Sequence, residues 1–266
     1  MEPSRLSVPA VSLARDLRTA LRRARDVGAH GVEIDARRGV DAAQISQTGL
    51  RQIRKWLGDE GLVVSAVAFP TRGGYTDTDR LEARIAATKS AMQLAFALGA
   101  RVVCNHVGDI PPARPADADG EDPRWRLLLD VLTDLGAWGE RVGATLCAEA
   151  GRASPADLVR VIESLPHGAL MCDLVTGALV VHGHDPVAAV ATLGSHIGFV
   201  HATDAVAGAY AGRGRPAQLG AGAVDLPAVL GALEERGYRG WVGVEPVDES
   251  AAVAELGDAV RFLRSQ

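Results

Sequence analysis

The 266-residue chain has only three cysteines, Cys104, Cys147 and Cys172. They are odd in number, widely spaced and each embedded in an apolar run, so they read as buried thiols and not as a secreted disulfide framework. No apolar run approaches the roughly 18–20 residues that a membrane helix needs. Met1-Glu-Pro-Ser-Arg5 shows no basic region followed by an apolar signal core, so a cytoplasmic protein with no membrane partner is the expectation. Positive charge is short as well: 28 Lys and Arg against 33 Asp and Glu give a formal net charge of −5, which leaves no footprint for nucleic acid. Nor does a G-x-G-x-x-G follow the first strand candidate, as a dinucleotide-binding open sheet requires.

What is present is an alternation of two periodicities along a chain that is 47% hydrophobic. Strand patterns are read at Leu6 to Val11, Val32 to Asp35, Leu62 to Phe69, Arg101 to His106, and in runs ending on Glu149, Asp173, His201 and Glu245. Helical spacing falls between them, at Leu17 to Val27, Ser46 to Leu57, Thr78 to Leu98, Trp125 to Val142, after Ser154-Pro155, after Asp185-Pro186, after Asp225 and from Glu249 to Leu263. Asp109 to Pro123 reads as an acidic loop, 174–181 as a short connection, and the Gly-rich Ala205 to Ala223 as the longest loop. Eight strand and helix units of about 30 residues predict a parallel sheet with helical crossovers. A closed (β/α)₈ TIM barrel in the α/β class, one domain over residues 1–266, fits better than an open sheet.

In such a barrel all strands deliver their C-terminal ends to one mouth. Glu149, Asp173, His201 and Glu245 end four consecutive strand candidates, so they form a ring there. Three carboxylates and one imidazole suit one divalent metal ion, with Mn²⁺, Mg²⁺ or Co²⁺ favoured and Zn²⁺ compatible. Each residue alone also has an ordinary reading, as a helix cap or a satisfied polar group. Their co-occurrence argues for a cation, because three uncompensated carboxylates are costly to bury.

At these residues the chain resembles the xylose isomerase-like family of sugar isomerases and epimerases, which includes ketose 3-epimerases, inosose dehydratases and apurinic endonucleases. The resemblance runs from Leu6 to Leu263. It is carried by Gly31-Val-Glu-Ile-Asp35, by Val200-His-Ala-Thr-Asp204, and by Leu219-Gly-Ala-Gly-Ala-Val-Asp225 with Gly237-Tyr-Arg-Gly-Trp-Val-Gly-Val-Glu245. It implies that Glu149, Asp173, His201 and Glu245 hold the metal. It also implies that Glu149 and Glu245 are the catalytic pair of an isomerase or epimerase acting on a sugar, keto-sugar or polyol derivative, one removing the proton beside the carbonyl and the other returning it from the opposite face.

Glu33, His106, Arg215 and Trp125 are the substrate-contact candidates. For each a structural role competes: Glu33 could pair with Arg37 or Arg38, His106 could be a pocket wall, Arg215 a solvated loop charge and Trp125 a loop anchor, as could Phe69. The chain departs from the family pattern three residues after Asp173, where Thr176 replaces the histidine that contacts substrate in epimerases and helps hold further zinc in the endonucleases. His182 and His184 lie nearby in sequence. Glu149 is followed by Ala-Gly-Arg-Ala-Ser, without the polar partner expected for substrate. A lyase or dehydratase on a keto-sugar, ketoglycoside or inosose, and a non-catalytic sugar-binding homologue, stand as alternatives. The expected partner is a small carbohydrate, with a homo-oligomer left open.

Overall fold

The computed structural model describes residues 5–112 and 122–266. In chain order the strands are β1 (Leu6–Pro9), β2 (Gly31–Asp35), β3 (Val63–Ala68), β4 (Val102–Asn105), β5 (Thr145–Ala150), β6 (Leu170–Val175), β7 (Ile197–Ala202), a short pair β8 (Asp204–Val206) and β9 (Arg215–Ala217), and β10 (Val242–Val244). Eight of them pair in parallel in the closed order β1-β10-β7-β6-β5-β4-β3-β2, the barrel that the alternation predicts. The helices are α1 (Ala10–Leu13), α2 (Leu17–Asp26), α3 (Gln47–Glu60), α4 (Leu81–Ala97), α5 (Pro123–Val142), α6 (Pro155–Glu163), α7 (Thr176–Val181), α8 (Pro186–Leu193), α9 (Leu226–Glu235) and α10 (Ala252–Arg264).

Local chemistry starts most of the helices where it was expected. The side chains of Ser154 and Asp185 accept the N–H of Asp157 and Val187 at 3.1 and 2.8 Å, and Pro155 and Pro186 follow at the first helical position, where a missing N–H costs nothing. Asp225 caps α9 in the same way through Ala228 at 3.0 Å.

Six expectations are corrected, among them the start of the closing helix, which lies at Ala252 and not at Glu249. The first strand stops at Pro9, because Ala10–Leu13 turns into a helix. The helix expected from Thr78 begins at Leu81, since Arg80 adopts a left-handed φ of 51° that an α-helix cannot contain. The connection after Asp173 includes the helix α7, and the Gly-rich loop contains an antiparallel ladder pairing Asp204 with Ala217 and Val206 with Arg215. Of the acidic loop, 113–121 lies outside the described residues, and Pro123 belongs to α5.

Side chains alternate across the barrel wall. Outward-facing Leu146, Cys172, Leu174 and Val200 join the large hydrophobic cluster shared with the helices. A second, small cluster of Ala66, Cys104 and Phe199 is separate from it and fills the barrel interior. All three cysteines are free and buried, and burial pushes each thiol well above its usual range.

Candidate active site at the barrel mouth

The alternation that sends Cys104, Cys147, Met171 and Phe199 into the barrel sends His106, Glu149, Asp173 and His201 to the same side two residues later. Register brings them level: Cys104 pairs with Cys147, Cys147 with Met171, and Glu149 with Asp173. The interior is therefore an apolar plug below a layer of ionisable groups. Gly243 pairs with His201 on the next strand. A Cβ at Gly243 would lie 3.0 Å from the Phe199 ring and 3.2 Å from His201 Cδ2, so the bare backbone there makes room for the two rings, which are tilted by 50° with centroids 4.8 Å apart.

His201 is buried and held from both sides. Its Nδ1 lies 2.9 Å from both oxygens of Asp173, and its Nε2 lies 3.2 Å from Glu33 Oε2. If Nε2–H donates to Glu33, the Nδ1 lone pair faces a carboxylate. That arrangement is repulsive unless a cation, proton or metal, lies between them. Burial opposes the imidazolium, but the charges of Asp173 and Glu33 outweigh it and raise His201 well above the ordinary histidine range. The 2.9 Å spacing also matches the roughly 3 Å between adjacent ligand atoms on an ion with bonds of about 2.1 Å. A carboxylate on the far ring nitrogen is the usual support for a metal-binding histidine. His201 and Asp173 are thus spaced as two adjacent ligands of a divalent ion on the Nδ1 side.

The remaining carboxylates crowd the same layer. Burial pushes the Asp173 carboxyl up, against the opposing pull of His201. Glu245, just past β10, keeps an exposed edge but is packed among protein atoms. That burial raises its carboxyl against the pull of His201, with Glu33, Asp173 and Glu149 adding to the rise. Glu149 Oε2 lies 2.9 Å from His106 Nε2, and this hydrogen bond is the main cause of a raised His106. Glu149 and Glu245 line one cavity of about 390 Å³. A second cavity of about 260 Å³ contains Glu149 with His106 and Arg152.

A second ligand-type group shares His201 with the first. One candidate ligand atom each from Glu33, Cys104 and His201 lie within 4.8 Å of one another, all buried. Without an ion, burial and then the neighbouring acids hold the Cys104 thiol well above its usual range, so an ion bound there would have to displace that proton. Neither Cys104 nor Gly243 was singled out as a site residue from sequence, because the only signal was an inward strand position.

The substrate-contact candidates separate. His106 is exposed beside Glu149. Glu33 reaches His201, while Arg38 pairs with Asp35 at 2.9 Å and the Arg37 guanidinium lies 4.2 Å over the buried Phe69 ring. Trp125 is covered by Arg160, 4.2 Å from the ring centroid, and packs against the core. It lines neither mouth cavity. Arg215 is exposed on β9, where its neighbours Pro216 and Ala217 face the cavity instead. Thr176 is fully buried, and its hydroxyl donates to Thr203 O at 2.5 Å and accepts from Thr203 N at 3.0 Å, so it ties α7 to the end of β7. His182 lines the 390 Å³ cavity.

The loops carrying the mouth are pinned at a backbone crossing. Gly74 (φ 63°) and Gly108 (φ 89°) meet so closely that a Cβ on Gly74 would lie 2.2 Å from Gly108 Cα. Nearby Tyr75 is buried with its hydroxyl 2.9 Å from Thr88 Oγ1 and 3.2 Å from Asn105 Oδ1. Burial pushes this phenol up to about 12.

The family profile described as xylose isomerase-like TIM barrel matches residues 21–266. No curated protein matches the chain. Among solved structures, a xylose isomerase domain protein from Planctomyces limnophilus superposes with a TM-score of 0.84 at 20% identity, over 99% of this chain and 96% of its own. A xylose isomerase-like TIM barrel protein from Mycobacterium smegmatis in complex with magnesium gives 0.77 at 19%, over 98% and 95%. D-psicose 3-epimerase with D-tagatose from Clostridium cellulolyticum H10 gives 0.79 at 15%, over 98% of each chain.

Proposed function

The chain belongs to the xylose isomerase-like TIM barrel family, and from that we propose that it is a divalent-metal-dependent isomerase or epimerase of a keto-sugar, sugar or polyol derivative. What supports the reading is that Glu149, Asp173 and His201 sit near the C-terminal ends of neighbouring strands, with Glu245 just past the next one, and that both glutamates line one cavity. The epimerase and magnesium-bound relatives support it. Glu149, Asp173, His201 through Nδ1, and Glu245 would hold the ion, and Mn²⁺, Mg²⁺ or Co²⁺ suits their mainly oxygen donors. When bound, the ion supplies Lewis-acid polarisation of the substrate carbonyl, which acidifies the adjacent C–H.

The protein's own groups then handle the proton. One glutamate takes it from the carbon beside the carbonyl, and the other returns a proton to the opposite face. His106 orients Glu149 through its 2.9 Å hydrogen bond. Glu33 orients His201 and is a positioning residue in this reading, not a sugar contact.

Incubation of the Mn²⁺-loaded protein with a panel of ketoses and keto-polyols in D₂O tests the proposal. A substrate recovered at its original carbon skeleton should carry one solvent deuterium beside the carbonyl. Glu149→Gln and Glu245→Gln should each lower that exchange by about 10²–10⁴-fold, the range of general acid–base catalysis. Isomerisation without deuterium uptake would overturn the two-glutamate relay.

A further inference from the structure

We infer that the mouth cavity carries a recognition arm for an uncharged, apolar-faced substituent on the substrate, and that the ligand is not phosphorylated. The inference rests on the functional reading above and names its substrate class. From Glu149 and Glu245 the cavity extends between α7 and the β8–β9 pair, and Val175, Ala178, Val181, Leu219, Pro246 and Val247 form its apolar walls.

The polar side chains along this arm are largely engaged by the chain. Asp204 accepts four backbone N–H groups, from Ala205 at 2.8 Å, Gly220 at 3.0 Å, Gly222 at 2.8 Å and Val224 at 3.0 Å, so both its oxygens are saturated. The Thr203 hydroxyl accepts from Gly177 N at 3.0 Å. Among the described residues only the His182 ring is left on the arm wall without a hydrogen bond. One imidazole and the Thr203 O–H, which donates to none of the described residues, cannot read a row of sugar hydroxyls. They can meet one or two polar atoms on a substituent that otherwise buries apolar surface.

Charge excludes phosphate. No Lys or Arg lines this cavity among the described residues, while Glu149, Asp204 and Glu245 do. A phosphoryl group calls for Arg, Lys or a helix N-terminus of free N–H groups. On the adjoining cavity, Arg152 is turned to Asp109 at 3.4 Å and His106 to Glu149 at 2.9 Å.

Chelating probes test the arm without knowledge of sugar stereochemistry. Acetohydroxamic, 3-phenylpropionohydroxamic and phosphonoacetohydroxamic acids present the same carbonyl and hydroxyl oxygens with no tail, an apolar tail and an anionic tail. Calorimetric titration of the Mn²⁺-loaded protein should show the phenyl probe binding at least tenfold more tightly than acetohydroxamate, and the phosphono probe no more tightly. The double variant Leu219→Ser, Val247→Ser should cut the phenyl preference at least threefold, with Mn²⁺ affinity reporting that the site is intact. Tighter binding of the phosphono probe, or a phenyl preference untouched by the double variant, overturns the arm while leaving the metal site in place. Absence of Mn²⁺ binding in the first titration takes down both the arm and the reading beneath it.

Discussion

Replacing Glu33 separates two roles that sequence alone left in competition. Its carboxylate meets His201 Nε2 at 3.2 Å with both side chains buried. Glu33→Ala leaves a buried N–H without its acceptor and frees the ring to turn, which costs about 1–3 kcal/mol. If His201 binds the ion through Nδ1, that cost appears in metal affinity as a loss of roughly 10–100-fold, the usual effect of removing a histidine's supporting carboxylate. Glu33→Gln keeps an oxygen acceptor at similar volume and loses only the charge, so its loss should be smaller, about two- to fivefold by the same reasoning. Mn²⁺ titration followed by water-proton relaxation measures both, and ¹⁵N spectra of the His201 ring report which nitrogen carries the proton. Cys104→Ala is the necessary comparison, because Cys104 forms the second ligand-type group with Glu33 and His201. With the ion at the mouth it should leave affinity within about twofold, since it removes no ligand. The reasoning is refuted if Glu33→Ala binds Mn²⁺ as tightly as the parent, or if Cys104→Ala loses more affinity than Glu149→Gln.

Metal uptake at neutral pH should release about one proton, because Asp173 and Glu33 raise His201 well above its ordinary range and the ion must displace that proton. Calorimetry in buffers of different ionisation enthalpy reads the number, and a value of zero contradicts the assignment. Gly74→Ala should destabilise the fold by about 2–4 kcal/mol, since its Cβ would meet Gly108 Cα at 2.2 Å with φ at 63°; denaturant unfolding with a loss under about 0.5 kcal/mol counts against the crossing. Asp35 is opposed by burial, yet hydrogen bonds from the Arg38 backbone and side chain and the Arg37 backbone hold its carboxyl below the usual range. A lowered folded value stabilises the protein above the unfolded value of about 3.9 and is lost as pH falls through the folded one. Asp35→Asn should therefore cost roughly 1–2 kcal/mol at pH 7 and much less near pH 3; an equal loss at both would show that charge is not the cause.

The barrel was legible in the sequence because its signals are local. Period two against period 3.6, Pro after Ser154 and Asp185, and Asp225 before Leu226 need only neighbours along the chain, and the strand-end positions of Glu149, Asp173, His201 and Glu245 follow from counting along each run. What the tertiary structure decided depends on partners far apart in sequence. Glu33 meets His201 across 168 positions, Thr176 meets Thr203 across 27, and Arg160 covers Trp125. Whether Glu33 faces a sugar, an arginine or an imidazole therefore has no local signature. The same holds for the β8–β9 ladder, whose backbone pairing lets a Gly-rich segment without apolar period become regular, and for Arg80, whose left-handed backbone sets the start of the helix at Leu81. Periodicity is set by the backbone a residue sits on, whereas a side chain's partner is set by the closure of the barrel, which brings distant strands to one mouth.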